Sequence, residues 1–142
     1  MPDSAAAGLL DTSVVIGLSQ LSDATVPPEV PLIPTITLAE LSLGPHVARS
    51  DMERAARQAV LQQAEADFEP LPFDDRTARA FGRVAASLLT SGRTVKARSY
   101  DAMVAAIAIA NGLPLYTAVP ADFIGIDGLD VRAVPTPSAT GR

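Results

Sequence analysis

Four acidic residues stand at points in the chain where carboxylates do chemistry: Asp11, Glu40, Asp101 and Asp122. Asp11 closes the apolar run Gly8-Leu9-Leu10, and Thr12 and Ser13 follow before apolar residues resume at Val14. Glu40 follows Thr37-Leu38-Ala39 shortly after a second apolar run, and Asp101 is the sole charge in the apolar stretch from Tyr100 to Ala110. Asp122 lies in a loop ahead of Phe123. Clustered carboxylates repel, and a cluster is tolerable mainly where it binds a cation or takes up protons. The chain has no cysteine and no candidate histidine ligand, and oxygen-only ligands select Mg2+ or Mn2+ over zinc. One or two such ions can activate water and stabilise charge on a phosphodiester.

Each acid also has a purely structural reading. Asp11 can cap the helix after the first strand, although Thr12 or Ser13 can do that equally well. Thr37-Leu38-Ala39-Glu40 matches the capping box, a hydroxyl at the N-cap and Glu at N3, which by itself accounts for Glu40. A first-turn Asp101 gains about 0.3–1 kcal/mol from the helix dipole, but an exposed first turn serves that end too. A turn-forming Asp such as Asp122 is commonplace. Thr12 and Ser13 either hydrogen-bond a metal-bound water or simply cap. Arg98, three residues before Asp101, either orients a carboxylate, contacts phosphate, or faces solvent. His46, beside Gly44-Pro45, reads as surface.

The elements that must position these groups follow from the patterning. The spacing predicts a strand at residues 8–10, a helix at 12–19, a proline-rich connection at 22–31 and a strand at 32–36, with Pro34 marking a sheet edge or strand end. A helix opens at Thr37 and stops near Gly44-Pro45. Residues 51–67 are helical with an alanine-heavy face suited to packing on another helix. Residues 68–73 are extended, and Asp74 or Asp75 caps a helix with a stripe of Ala78, Phe81, Val84, Ala85, Leu88 and Leu89. Thr90-Ser91-Gly92 ends it. The helix from Ser99 is apolar nearly all round, hence buried between layers, with Asn111-Gly112 as its C-cap. Strands at 113–117 and 131–134 flank a loop at 118–129. Residues 1–7 read as a flexible lead-in, 8–134 as one domain, and 135–142 as a disordered tail. Strands alternating with helices give a mainly parallel sheet of about five short strands covered on both faces. In such a doubly wound sheet the four acids share one rim.

Composition narrows the classes. A chain of 142 residues, 48% apolar and 19% charged, fits one globular domain with a real core. A net charge of −5 argues against a protein that wraps nucleic acid nonspecifically. There is no basic, apolar secretory leader and no apolar run of about 20 residues, so a membrane role is not expected. The absence of cysteine is compatible with the cytoplasm. No phosphate-cradling glycine motif occurs. A receiver-type or aspartyl-phosphate chemistry at Asp11 finds neither a second Asp two residues on nor a Lys after a late strand.

At the level of motifs the chain resembles the PIN-domain ribonucleases, specifically the VapC-type toxins of bacterial toxin–antitoxin pairs. The matching segments are Leu9-Leu10-Asp11-Thr12-Ser13-Val14, Thr37-Leu38-Ala39-Glu40-Leu41, Arg98-Ser99-Tyr100-Asp101-Ala102-Met103-Val104-Ala105-Ala106, and Leu113-Pro114-Leu115-Tyr116-Thr117 through Ala121-Asp122-Phe123. They occur in the family's order and span about residues 8–134. The resemblance implies a PIN-like three-layer α/β/α fold and Mg2+-dependent endoribonuclease activity, with Mn2+ as an alternative ion. It also implies a homodimer and inhibition by a cognate VapB-type antitoxin. Asp11, Glu40 and Asp101 take the places of the family's first three metal-holding acids. The family continues Thr-Arg-Asn/Asp-Pro-x-Asp-Phe after its last core strand. Here Ala118 and Val119 replace the Arg and the polar residue, and Asp122 matches the later Asp and offers a fourth carboxylate. The basic stretch Arg93 to Arg98 offers phosphate contacts that would let an acidic protein hold RNA locally. Val119 motivates the alternative, a catalytically weak PIN domain that binds RNA or antitoxin without efficient cleavage.

Overall fold

In the computed structural model of the chain, the described residues are 6–18 and 28–135. Strands β1 (Ala7–Leu10), β2 (Val30–Pro34), β3 (Pro70–Leu71), β4 (Leu115–Thr117) and β5 (Val131–Ala133) form one sheet in the order β3-β2-β1-β4-β5. Every pairing is parallel. Helices α1 (Thr12–Leu18), α2 (Thr35–Leu43), α3 (Asp51–Asp67), α4 (Asp75–Thr90) and α5 (Ser99–Ala110) supply the outer layers.

β1 sits at the centre, and its alternation divides the core. Leu9 joins Val84, Leu88, Ile107 and Leu115 on the face covered by α4 and α5. Leu10 joins Val14, Val15, Ile33, Leu41 and Ala64 on the face covered by α1, α2 and α3. Successive strand residues point to opposite faces, so a strand buried on both sides must be apolar throughout. α5 is lined by Ala102, Ala105, Ala106 and Ala108, all fully buried, and such small side chains let it lie close to its neighbours. Burial of a Leu88 or Ile107 side chain contributes about 1.5–3 kcal/mol each. The expected three-layer arrangement with a parallel sheet is what the chain adopts.

The element ends differ from the sequence expectations in physically informative ways. The second strand ends at Pro34, and α2 begins at Thr35, two residues before the expected N-cap. Pro34 is extended (φ −79°, ψ 154°) and serves as the N-cap without a side-chain cap bond, so Thr37 is inside the helix and the capping box is not formed. The third strand shrinks to two residues between prolines, whose missing N–H groups limit a ladder. α4 and α5 both end on a left-handed glycine, Gly92 (φ 83°) and Gly112 (φ 64°). Arg93 N and Leu113 N then bond back to Leu88 O and Ala108 O. This wrap consumes Leu113, which is why β4 starts at Leu115. Of the two candidate caps for α4, Asp74 takes the role, accepting from Thr77 N at 3.0 Å. The loop at 118–129 contains a 3₁₀ turn, Pro120–Phe123, that buries Phe123. α3 packs on α2 and the 3₁₀ turn Gly44–Val47, as its alanine-heavy face requires.

The expected lead-in falls partly on β1, which starts at Ala7; residues 1–5, most of the proline-rich connection and residues 136–142 lie outside the described residues. Among the described residues no helix is long and apolar enough to cross a membrane.

Candidate functional site

Asp11 is the first residue past β1, and its N–H donates to Tyr116 O of β4 at 3.1 Å. The carboxylate is 6% exposed. Oδ1 accepts from Ser13 Oγ at 2.5 Å and from Val14 N at 3.2 Å, while Oδ2 accepts from Thr117 Oγ1 at 2.7 Å. Ser13 Oγ in turn accepts from Ala118 N, and Thr117 Oγ1 from Val119 N. Asp11 therefore does cap α1, and it also ties the start of the loop after β4 to the end of β1. All of these partners are neutral. Among the described residues, no basic side chain forms an ion pair with Asp11 or with Glu40.

Glu40 is held from α1. Thr12 Oγ1 donates to Glu40 Oε1 at 2.5 Å and is hydrogen-bonded to the fully buried Thr37 Oγ1 at 3.1 Å. This is the consequence of α2 starting early: Thr37 turns inward to meet Thr12, and Glu40 points to the sheet rim instead of back to its own N-cap. The carboxylate that pattern alone left ambiguous is free for the site.

Asp101 occupies the first turn of α5, its side chain 34% exposed. Its pKa is pushed up to about 6, first by burial and then by the charge on Asp122, with Asp11 and Glu40 adding to the rise and Arg98 opposing it. Asp101 thus feels the charge of the other three acids. Arg98 bridges two of them, Nη1 lying 3.1 Å from Asp122 Oδ1 and 3.8 Å from Asp101 Oδ2. Of its three readings, orienting carboxylates is the one its side chain adopts. Ser13 is bound to Asp11 and Thr12 to Glu40, so both hydroxyls support acids directly. His46 lies in the 3₁₀ turn after α2 and is exposed.

In kind, the donor set fits a hard divalent cation: oxygen atoms only, a buried Asp11 without a basic partner, and an Asp101 whose ionised form is disfavoured by burial and by its acidic neighbours. In placement, no three acidic or histidine side chains among the described residues are already drawn in to ion-binding range. Two residues of this network escaped the sequence reading, Thr117 and Thr37. Each is a fully buried hydroxyl, and the only signal was a hydroxyl ending or following an apolar run.

The family model for the PIN domain matches residues 9–118. The chain belongs to the PIN-domain family. Ribonuclease VapC5 of Mycobacterium tuberculosis is 41% identical over 131 residues, covering 90% of this chain and 93% of the relative. The crystal structure of VapBC-5, a member of the VapBC family of toxin–antitoxin systems from M. tuberculosis, aligns with TM-score 0.76 and 38% identity, over 91% of this chain and 99% of that one. DNA-bound VapBC from Salmonella typhimurium aligns with TM-score 0.73 and 25% identity, over 88% and 96%.

Asp11, Glu40 and Asp101 fall inside the matched PIN segment, whereas Asp122 lies just beyond it. Val119, also beyond the matched segment, is 42% exposed. Beside this PIN acidic rim, α1, α2 and α3 enclose a groove of about 1080 Å3, with Val15, Leu41, Val60 and Phe68 on its walls. Thr12 and Glu40 line the same groove. The acidic rim and the groove are therefore continuous.

Proposed function

We propose that this PIN domain is a divalent-cation-dependent endoribonuclease that hydrolyses RNA phosphodiester bonds, and that it is the toxin of a type II toxin–antitoxin pair. The observation that carries the reading is the buried Asp11, held by three neutral donors, with no basic side chain paired to it among the described residues, and close enough to Asp101 to add to the rise in its pKa. The similarity to a relative named a ribonuclease supports the substrate class. Asp11, Glu40 and Asp101 would hold Mg2+, or Mn2+, and Asp122 is the fourth candidate. Such an ion, when bound, supplies Lewis-acid charge stabilisation and an acidified water.

The protein's own groups do the positioning. Ser13 and Thr117 fix the orientation of Asp11, and Thr12 fixes Glu40, so neither acid must be ordered when RNA arrives. The half-buried Asp101 is held by the first turn of α5 beside Arg98, so its carboxylate too is placed before RNA arrives. Arg98 offsets the repulsion between Asp101 and Asp122 and lies where an RNA phosphate would meet the rim. Asp11→Asn or Asp101→Asn should keep the fold and abolish cleavage; an Asn variant that cuts at the parental rate refutes the assignment.

Val119 favours a second reading, a PIN domain that binds RNA or antitoxin without efficient cleavage. Calorimetric titration with Mg2+ or Mn2+, with and without Asp122→Ala, separates the two, since the inactive module shows no measurable cation binding.

The groove between α1, α2 and α3 is the proposed docking site for the apolar face of a VapB-type antitoxin segment, with a basic antitoxin residue reaching Glu40. The similarity to VapBC assemblies supports this partner. A homodimer and a cytoplasmic location, where RNA and antitoxin are found together, complete the proposal.

A further inference from the structure

Aromatic residues are scarce in this chain, four Phe and two Tyr with no Trp, and nearly all are used for packing. Tyr116 and Phe123 are buried, and Phe73 and Phe81 meet edge to face. Tyr100 is the exception. It is 54% exposed and immediately precedes Asp101 in the first turn of α5. Among the described residues its side chain makes neither a hydrogen bond nor a ring contact. A ring this exposed, next in sequence to an acid of the rim, is open to a planar ligand. One turn upstream stands the only basic stretch of an acidic protein. Arg93 is tied to Ile124 O and Arg98 to Asp122, but the exposed Lys96 meets no carboxylate among the described residues.

An exposed ring next to an uncommitted cation is the combination that holds single-stranded nucleic acid, the ring stacking on a base and the ammonium meeting the backbone. We propose that Tyr100 is a positioning residue on which an unpaired RNA base next to the scissile phosphate stacks, with Lys96 contacting the adjoining phosphate. This rests on the ribonuclease reading and deepens it by naming the residue that takes the base, which must be unpaired to present its face to the ring. Stacking is tolerant of base identity, so the ring sets the strandedness of the target and not its sequence.

Steady-state cleavage by Tyr100→Ala and Tyr100→Phe tests the role. The expected result is a KM for single-stranded RNA raised about tenfold in the Ala variant with kcat within about twofold, and parental behaviour in the Phe variant. Since the chain has no Trp, Tyr100→Trp in the Asp11→Asn background places a single reporter at the position. Its emission should be quenched by a single-stranded oligoribonucleotide of about 12 nucleotides and far less by the same sequence as a duplex. An unchanged KM in the Ala variant, an unquenched Trp, or a fall in kcat and melting temperature that Phe does not rescue overturns the proposal. So does an Ala variant whose only defect is weaker copurification with antitoxin. If the parental protein does not cleave RNA, the ribonuclease reading fails by itself, and the fluorescence titration still decides whether Tyr100 stacks on RNA.

Discussion

Asp101 carries its negative charge in a place that disfavours it, and this makes a measurable statement about stability. Its pKa of about 6 lies above the ordinary 3.8, so the folded chain binds more protons than the unfolded chain between roughly pH 4 and 6. Stability from this group is therefore present at low pH, falls as pH rises through that window, and is lacking above it. With allowance for solvent at a side chain 34% exposed, the penalty is about 1 kcal/mol. Thermal melts of the metal-free protein should show Asp101→Asn more stable than the parent at pH 8 and equal to it at pH 4. Added Mg2+ should stabilise the parent and not the variant. Thr117→Val removes the donor to Asp11 Oδ2 and the acceptor for Val119 N. It should destabilise by about 1–3 kcal/mol and depress cleavage, read by denaturant melts and RNA cleavage on the same preparations. Asp11 and Asp101 were legible in the sequence because a charge that interrupts an apolar run is conspicuous. Thr117 and Thr37 were not, because a hydroxyl beside a strand reads as ordinary β-former or helix cap until its burial is known.

At the scale of elements, Asp11 and Glu40 are held as they are because β1 and β4 are neighbours and α2 starts early. Gly8 marks how closely those central strands are fitted. A Cβ there would lie 2.5 Å from Tyr116 Cε1, and the Tyr116 hydroxyl is held by Arg132 Nη1 at 3.2 Å, so the ring cannot simply swing away. Gly8→Ala should cost about 1–3 kcal/mol through overpacking, seen as a lower urea midpoint with an unchanged slope. Helix and strand identities followed from periodicity and turn residues, and they place the parallel sheet correctly. The start of α2 did not follow. The capping-box pattern at Thr37 competes with Pro34, whose fixed φ suits the last extended residue before a helix. The proline sets the boundary, and a two-residue shift decides whether Glu40 caps its own helix or faces Thr12.

At the scale of the whole molecule, an acidic chain presents an apolar groove running into an acidic rim. A partner with an apolar helix and a basic side chain complements both at once. Ala59 lines this groove and is exposed, so Ala59→Glu should leave the melting temperature nearly unchanged and RNA cleavage intact. It should abolish copurification with the product of the adjacent open reading frame. The sequence pointed only to a helix-packing face along residues 51–67, and the groove itself was not legible, since its walls come from three helices whose approach no single segment encodes.

The most direct measurement is cleavage of total RNA by the purified chain in Mg2+, in excess chelator, and after Mg2+ is restored, with Asp101→Asn alongside. The account predicts discrete cut ends with Mg2+, none with chelator, recovery on restoration, and none from the Asn variant although it is folded. Cleavage that survives chelation, or an Asn variant that cuts at the parental rate, contradicts it.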